Sequence, residues 1–403
     1  MAVTNQTPLK ANPATSAAQP LSLGIRASTD RVEVLQLWTE LEQRIGHLGL
    51  PCSVDWTEAW LNAYGDLVPH SFLLARNSET STLQGICLIC EGVNQKDGPL
   101  NIKTLHVGPA GEPEADSVCV EYNQLLLAPE YEGAFTKLIV EYLQTRSGFD
   151  QWNIDGIATA KLAAFQQHES DLQLRIEPSY GFDFAKAKAE KTTVLSQFKS
   201  ATRRKVKRSM EAWGDLSVEW SSTLNEAVDA FNEMIDLHQT RWTSVGKPGS
   251  YSSKRFTAFH EDLLSKLVPQ GRMAFVRVRS GADTIGIVQL FIEHRRALLY
   301  QCGWSVGDKT RSPGVVVDYL AMEECLKQGL DAYDFLAFAT QHKRSLANMS
   351  TDIVWAKKQH PRIKFFTLNQ ARKLRTWLRE RKNRKAAISK QADNPYLATT
   401  RDS

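Results

Sequence analysis

The chain has 403 residues, 42% of them hydrophobic and 23% charged, and a formal net charge of +4. That length exceeds one ordinary core and favours two domains, and so mild a charge is no argument by itself for nucleic-acid binding. No apolar run approaches the roughly 20 residues that span a bilayer. Residues 1–29 open with "MAVTNQTPLKANPATSAAQP", which lacks the apolar core of a secretory signal. They are expected to form a disordered tail, with a cytoplasmic location as the default and a peripheral position at the inner membrane face as its variant.

Helical spacing in "RVEVLQLWTELEQRIGHLG" predicts a helix over 31–49, and a Ser/Asp cap opens a second over 53–66. Strands are predicted at 70–76, 83–90 and 101–107, then a helix near 132–146, a buried strand at 151–157 and a helix at 161–169. The pattern restarts at 190. Helices are predicted near 194–212, 224–243 and 253–268, followed by strands at 272–279, 284–293 and 296–304. A helix opening at Ser312, strands at 332–338 and 351–358, and a basic helix over 363–385 complete the chain, with 386–403 expected to lack structure. Cys87 and Cys90 form a C-x-x-C, but they lie three apart on an apolar strand and so point to opposite faces. No second Cys/His pair sits at zinc spacing, so buried structural thiols are expected and no metal.

The halves echo each other: "SFLLARN…LQGICLI" lies about 200 residues before "AFVRVRS…TIGIVQL". The expectation is an α+β protein of two related domains, 30–185 and 186–365, with mixed sheets flanked by helices and a basic helix and tail over 366–403. In the second half a strand hands over to a helix through Arg311, Ser312, Pro313, Gly314, Val315 and Val316. A helix N-terminus exposes unpaired N–H groups and partial positive charge, which suits a phosphate. Gly314 permits close backbone approach, Pro313 fits the first turn, Ser312 is a cap or a donor, and Arg311 adds a full charge. A tight turn and nothing more is the plain alternative.

Arg311-x-x-Gly314-x-Val316 resembles the R-x-x-G-x-G/A pyrophosphate loop of the GNAT acyltransferase superfamily, with Val316 where Gly or Ala is usual. Together with "LHQTRW…GKPG" (237–249), "SPG" (312–314), "G…YDFL" (329–336) and Lys343, the pattern resembles the CelD-like acetyltransferases of polysaccharide gene clusters. Those are similar to the Fem peptidoglycan aminoacyltransferases, which carry two GNAT-like domains in tandem. The basic segment 195–214 resembles the helix that opens the Fem second domain. One segment departs: "AFATQHKRSL" (337–346) stands where Gly-acidic-x-Tyr-Lys is usual, and only Lys343 is in register.

The resemblance implies acetyl-CoA or another acyl-CoA as co-substrate, held at Arg311–Val316. It also implies transfer to an amine or hydroxyl, on a cell-envelope or exopolysaccharide sugar. Aminoacyl-tRNA as donor, and a non-catalytic scaffold in polysaccharide assembly, are the alternatives. His238 and Arg241 share a helix face, as a candidate base and a candidate acceptor-binding group, or else as an interface pair. Trp242 is a sugar platform or a core residue. Asp334 is a base or an ion-pair member, with Lys343 or Arg241 expected as its partner. Lys343 would steady an oxyanion, or is a surface lysine. Glu121 is the acidic candidate from the first half, against an exposed loop residue. The cationic helices at 199–208 and 372–385 suggest an anionic partner, tRNA or a membrane surface, or else solvated faces.

Overall fold

The structure is a computed structural model that describes residues 20–46, 49–306 and 311–392. The strands of the first half are β1 (Leu21–Ala27), β2 (His70–Asn77), β3 (Leu83–Glu91), β4 (Lys96–Asp97), β5 (Leu100–Asn101), β6 (Thr104–Val107), β7 (Leu126–Leu127), β8 (Gln151–Ala158) and β9 (Gln173–Asp183). The second half supplies β10 (Leu216–Trp220), β11 (Met273–Ser280), β12 (Asp283–Glu293), β13 (Arg296–Trp304), β14 (Ala332–Asp334) and β15 (Met349–Gln359). The helices are α1 (Arg31–Ile45), α2 (Val54–Tyr64), α3 (Glu132–Thr145), α4 (Thr159–Gln166), α5 (Ala185–Glu190) and α6 (Val194–Gln197). They continue with α7 (Ser200–Trp213), α8 (Leu224–Ser244), α9 (Lys254–Leu267), α10 (Pro313–Lys327), α11 (Gln341–Leu346) and α12 (Ile363–Ala392).

Thirteen strands form one mixed sheet, with the path β1-β2-β3-β6-β8-β15-β9-β14-β13-β12-β11-β10 and β7 alongside β3. The order reads the same from either end once the halves are matched. Each half contributes strand, two helices, three antiparallel strands, helix, parallel strand, helix and a last strand. The parallel pairs β6/β8 and β13/β14 correspond, each with a helix crossing between them. The last strands change sides. β15 pairs with β8, β9 pairs with β14, and the two pair with each other from Met349↔Gly181 to Lys357↔Gln173.

Helices α3 and α10 cover the outer faces of the two half-sheets, over separate apolar clusters. A third cluster belongs to both halves: Trp56 of α2 packs on Phe259 of α9 at 4.9 Å and on Phe291 of β12 at 5.8 Å. Burying rings such as Phe259 and Phe291 contributes about 1.5–3 kcal/mol each, so this seam holds the halves in one arrangement. The two C-x-x-C thiols are buried in different clusters, Cys90 at the seam and Cys87 under α3. Burial pushes Cys87 up to about 12.

Several sequence expectations are corrected. Residues 21–27, placed in the tail, form β1, because "LSLGIRA" pairs along the edge of β2; residues 1–19 lie outside the described residues. The helix predicted over 194–212 breaks at Phe198 and Lys199, whose backbones are extended. The strand predicted to 338 ends at Asp334, where the chain turns through left-handed conformations. Helix α12 runs on to Ala392, through a stretch expected to be unstructured but rich in Ala, Lys and Gln, which favour helix; residues 393–403 lie outside the described residues.

Candidate active site

β13 and β14 are in parallel register only from Arg296↔Ala332 to Leu298↔Asp334. β13 then runs on to Trp304, while Leu336 and Phe338 turn the other chain away with φ of 59° and 69°. Left-handed backbone at non-glycine residues is costly and persists where surrounding contacts enforce it. The gap, bounded by Leu299, Tyr300 and Gln301 on one side and Phe335, Leu336 and Ala337 on the other, opens into a cavity of about 700 Å³ between the halves.

Ala337 is where the halves meet. Its N–H donates to Glu121 Oε2 at 2.7 Å, and its carbonyl accepts from Lys343 Nζ at 2.6 Å, with Leu336 O accepting at 3.2 Å. Glu121 and Lys343 both line the cavity. Burial pushes the Glu121 carboxyl up to about 7, against the Ala337 N–H and the Lys343 charge, which favour its ionised form. Burial likewise draws the Lys343 ammonium below the ordinary lysine range. The loop carrying Glu121 lies directly on β8. Gly156 of β8 has φ +62°, and a Cβ there would stand 2.1 Å from Val120 O, so only glycine lets the loop sit that low.

The far wall of the cavity holds His106, whose Nδ1 meets Asp155 Oδ2 at 2.6 Å. Burial alone would lower the His106 pKa; the Asp155 carboxylate outweighs it and holds the ring above the ordinary histidine value. His106 Nε2 has no hydrogen-bond partner among the described residues. At the rim, the Arg175 guanidinium lies 4.4 Å from the centre of the Trp355 ring. Sequence reading missed His106, Asp155, Arg175 and Trp355. The available signal was a histidine next to the last residue of the predicted strand 101–107, a pattern equally common in core strands.

Asp334 is 2% exposed and closes a polar node. It accepts from Tyr122 Oη and Ser179 Oγ, each at 2.6 Å, and from Leu336 N at 2.8 Å, and it pairs with Arg296 at 3.5 Å. Its cationic partner is therefore Arg296, not Lys343 or Arg241, because Arg296 lies diagonally across the β13/β14 pair, two residues before Leu298, the register partner of Asp334. His238 is buried. Its Nδ1 meets Cys302 O at 3.0 Å, and Ser250 N donates to Nε2 at 3.4 Å, which fits the neutral ring with the proton on Nδ1. Burial lowers its pKa further. His238 thus holds β13 from behind, while Ser250 lies between it and the cavity.

Arg241 lies over the Trp304 ring at 4.2 Å and near Trp242 at 5.5 Å; Lys247 also faces Trp242, at 5.4 Å. Trp304 in turn borders Gly314, where a Cβ would lie 3.6 Å from the indole. The start of α10 therefore has two arginines close by, Arg241 through Trp304 and Arg311, whose guanidinium lies 5.1 Å from the Trp213 ring. Ser312, the residue preceding the helix, is left-handed with φ 46° and does not cap it with its side chain; Pro313 opens the first turn. Val315 and Val316 turn inward and are buried in the core, so the valine where Gly or Ala is usual does not crowd the outer face. Residues 307–310 of the approach lie outside the described residues.

Residues 197–344 match the family model described as acetyltransferase (GNAT) domain. The fold is similar to the crystal structure of FemX, with a TM-score of 0.51 and 11% identity over 80% of this chain and 95% of that one. Matches of lower score include a tandem GNAT protein from the clavulanic acid biosynthesis pathway (TM-score 0.44, 13% identity, 85% of this chain and 99% of that one). Another is L-PGS from Bacillus licheniformis (TM-score 0.44, 12% identity, 77% and 93%). No curated protein matches significantly. Residues 197–344, which supply β13, α10 and one wall of the cleft, are thus similar to a GNAT acetyltransferase domain over about a third of the chain.

Proposed function

We propose that the protein moves an acyl group from acyl-CoA to an amine or hydroxyl in the cleft between its halves. The carrying observation is the Glu121–Ala337–Lys343 assembly, which sets a carboxyl near pKa 7 beside the gap between β13 and β14. The pyrophosphate of CoA would rest at Arg311–Val316, on the uncapped start of α10 and near Arg241. Its acyl arm would enter the gap, where β13 from Leu299 onward has no strand partner on the β14 side and backbone N–H groups could hold the thioester oxygen.

Glu121, half deprotonated near neutrality, takes the proton from the acceptor as the acceptor attacks the thioester carbonyl. Electrons from the C–S bond leave with the CoA thiolate. Lys343 puts positive charge beside the developing oxyanion and fixes Ala337, which in turn fixes Glu121. Asp334 and Arg296 tie the two strands together just before the gap opens, and His238 steadies β13 from behind; Arg241 and Trp242 belong to the CoA end. A saccharide acceptor, the finer reading from the polysaccharide-cluster resemblance, is supported by the polar lining and the Trp355 ring. Action in the cytoplasm goes with an acyl-CoA donor.

Aminoacyl-tRNA as donor is the second reading, favoured by one observation. Helix α7 exposes Arg204, Lys205, Lys207 and Arg208 along its outer side, with Lys199 exposed just before its first turn, and buries Val206 and Ser209. The test is CoA release from acetyl-CoA with a panel of amino- and hydroxyl-bearing saccharides. Wild-type turnover is expected to fall about 100-fold or more in Glu121→Gln, with acetyl-CoA affinity unchanged. Equal turnover in both proteins would remove Glu121 from the chemistry. Turnover with aminoacyl-tRNA alone would select the second reading, and CoA binding without turnover would select the scaffold.

A further inference from the structure

We infer that α12 is an interfacial helix that docks the protein on an anionic lipid bilayer. Its inner side is fixed to the first half: Phe365 is buried, Lys364 pairs with Asp150 and Arg372 pairs with Asp97. The opposite side is apolar and faces solvent. Ile363, Phe366, Leu374, Trp377 and Leu378 are 84%, 65%, 58%, 52% and 52% exposed. At 3.6 residues per turn these five positions fall within an arc of about 120°. An ordinary surface helix turns such a stripe inward, so α12 is reversed.

Charge selects the occupant. Residues 363–392 hold ten Lys or Arg and one acid, Glu380. Lys373 and Arg375 are exposed on either side of the stripe, and Arg381 lies within it, its guanidinium 5.2 Å from the Trp377 ring. Packing two copies stripe to stripe would bring two strongly cationic helices together without counter-charge. A nucleic acid would meet the charges and leave the apolar side chains in water. An anionic membrane surface satisfies both: acyl chains take the Trp and Leu side chains, and headgroup phosphates take the flanking cations. No helix among the described residues is long and apolar enough to cross a membrane, so the helix would lie on the surface.

The test is co-sedimentation of the full chain with vesicles of phosphatidylcholine, and with vesicles of phosphatidylcholine and phosphatidylglycerol in equal parts. Wild type is expected to bind the anionic vesicles at least about tenfold more tightly than the neutral ones, and less as salt rises. The triple variant Leu374→Ser/Trp377→Ser/Leu378→Ser should lose about tenfold or more of that binding. Lys373→Gln/Arg375→Gln should lose the preference for anionic vesicles. All these side chains are exposed, so thermal unfolding and acetyl-CoA binding should not change. Absence of wild-type binding, or binding that the triple variant leaves intact, would overturn the inference. So would a triple variant that converts a dimer to a monomer in sedimentation without changing vesicle binding.

Discussion

Glu121 carries the most direct consequence for pH. Its carboxyl is held at about 7 in the fold against an ordinary value of 4.5. As a base it must be ionised, so turnover should rise with pH through about 7, and Glu121→Gln should remove that limb; a pH–rate profile checks both. The same shift has a stability sign. The folded chain holds this proton more tightly than the unfolded chain, so the stability it contributes is fully present below pH 4.5 and is lost as pH rises through about 7. Glu121→Gln should therefore unfold at a higher temperature than wild type at pH 8, with a smaller difference at pH 5. Asp334→Ala should destabilise by about 3 kcal/mol or more in denaturant unfolding, because Tyr122, Ser179, Leu336 and Arg296 all lose a buried partner. At this scale the sequence was only partly informative. Asp334 stood out as a carboxylate among apolar neighbours and was read correctly as needing partners. Glu121 and Ala337 are 216 positions apart, and nothing local announces that they touch.

The elements were more legible. Short apolar runs located β2, β3, β11 and β12, which are buried along most of their length, and 3.6-residue spacing located α1, α8 and α9, which each bury one face. Strands β1, β9 and β10 were missed because they expose polar side chains along much of their length, as "QLRIEPSYGFD" in β9 shows. At the β8 turn, Gly156→Ala should lift the Val120–Glu121 loop, since the new methyl would meet Val120 O and the φ of +62° disfavours it. Turnover should fall while acetyl-CoA affinity, set at α10 on the other side of the gap, stays near wild type; paired kinetics and calorimetry check that split.

For the whole molecule, the duplication was visible as an echo of short motifs, but the exchange of last strands was not. Pairing β15 beside β8 and β9 beside β14 depends on contacts between distant segments, which periodicity does not encode. The exchange makes each half incomplete alone. Residues 20–185 by themselves would leave the β8 edge without β15, and residues 186–392 would leave β14 without β9. Each half expressed singly should be largely unfolded or aggregated by circular dichroism and light scattering, and the full chain should unfold in one transition. Independent folding of either half would show that the exchanged strand is dispensable.

Acyl-CoA at the start of α10 is the claim on which the mechanism rests. Calorimetric titration of acetyl-CoA into wild type, Gly314→Trp and Glu121→Gln tests it most directly. Saturable binding is expected for wild type and Glu121→Gln alike, and loss of binding for Gly314→Trp, whose bulky ring would fill the approach beside Trp304. No binding by wild type, or binding that Gly314→Trp leaves intact, would contradict the account.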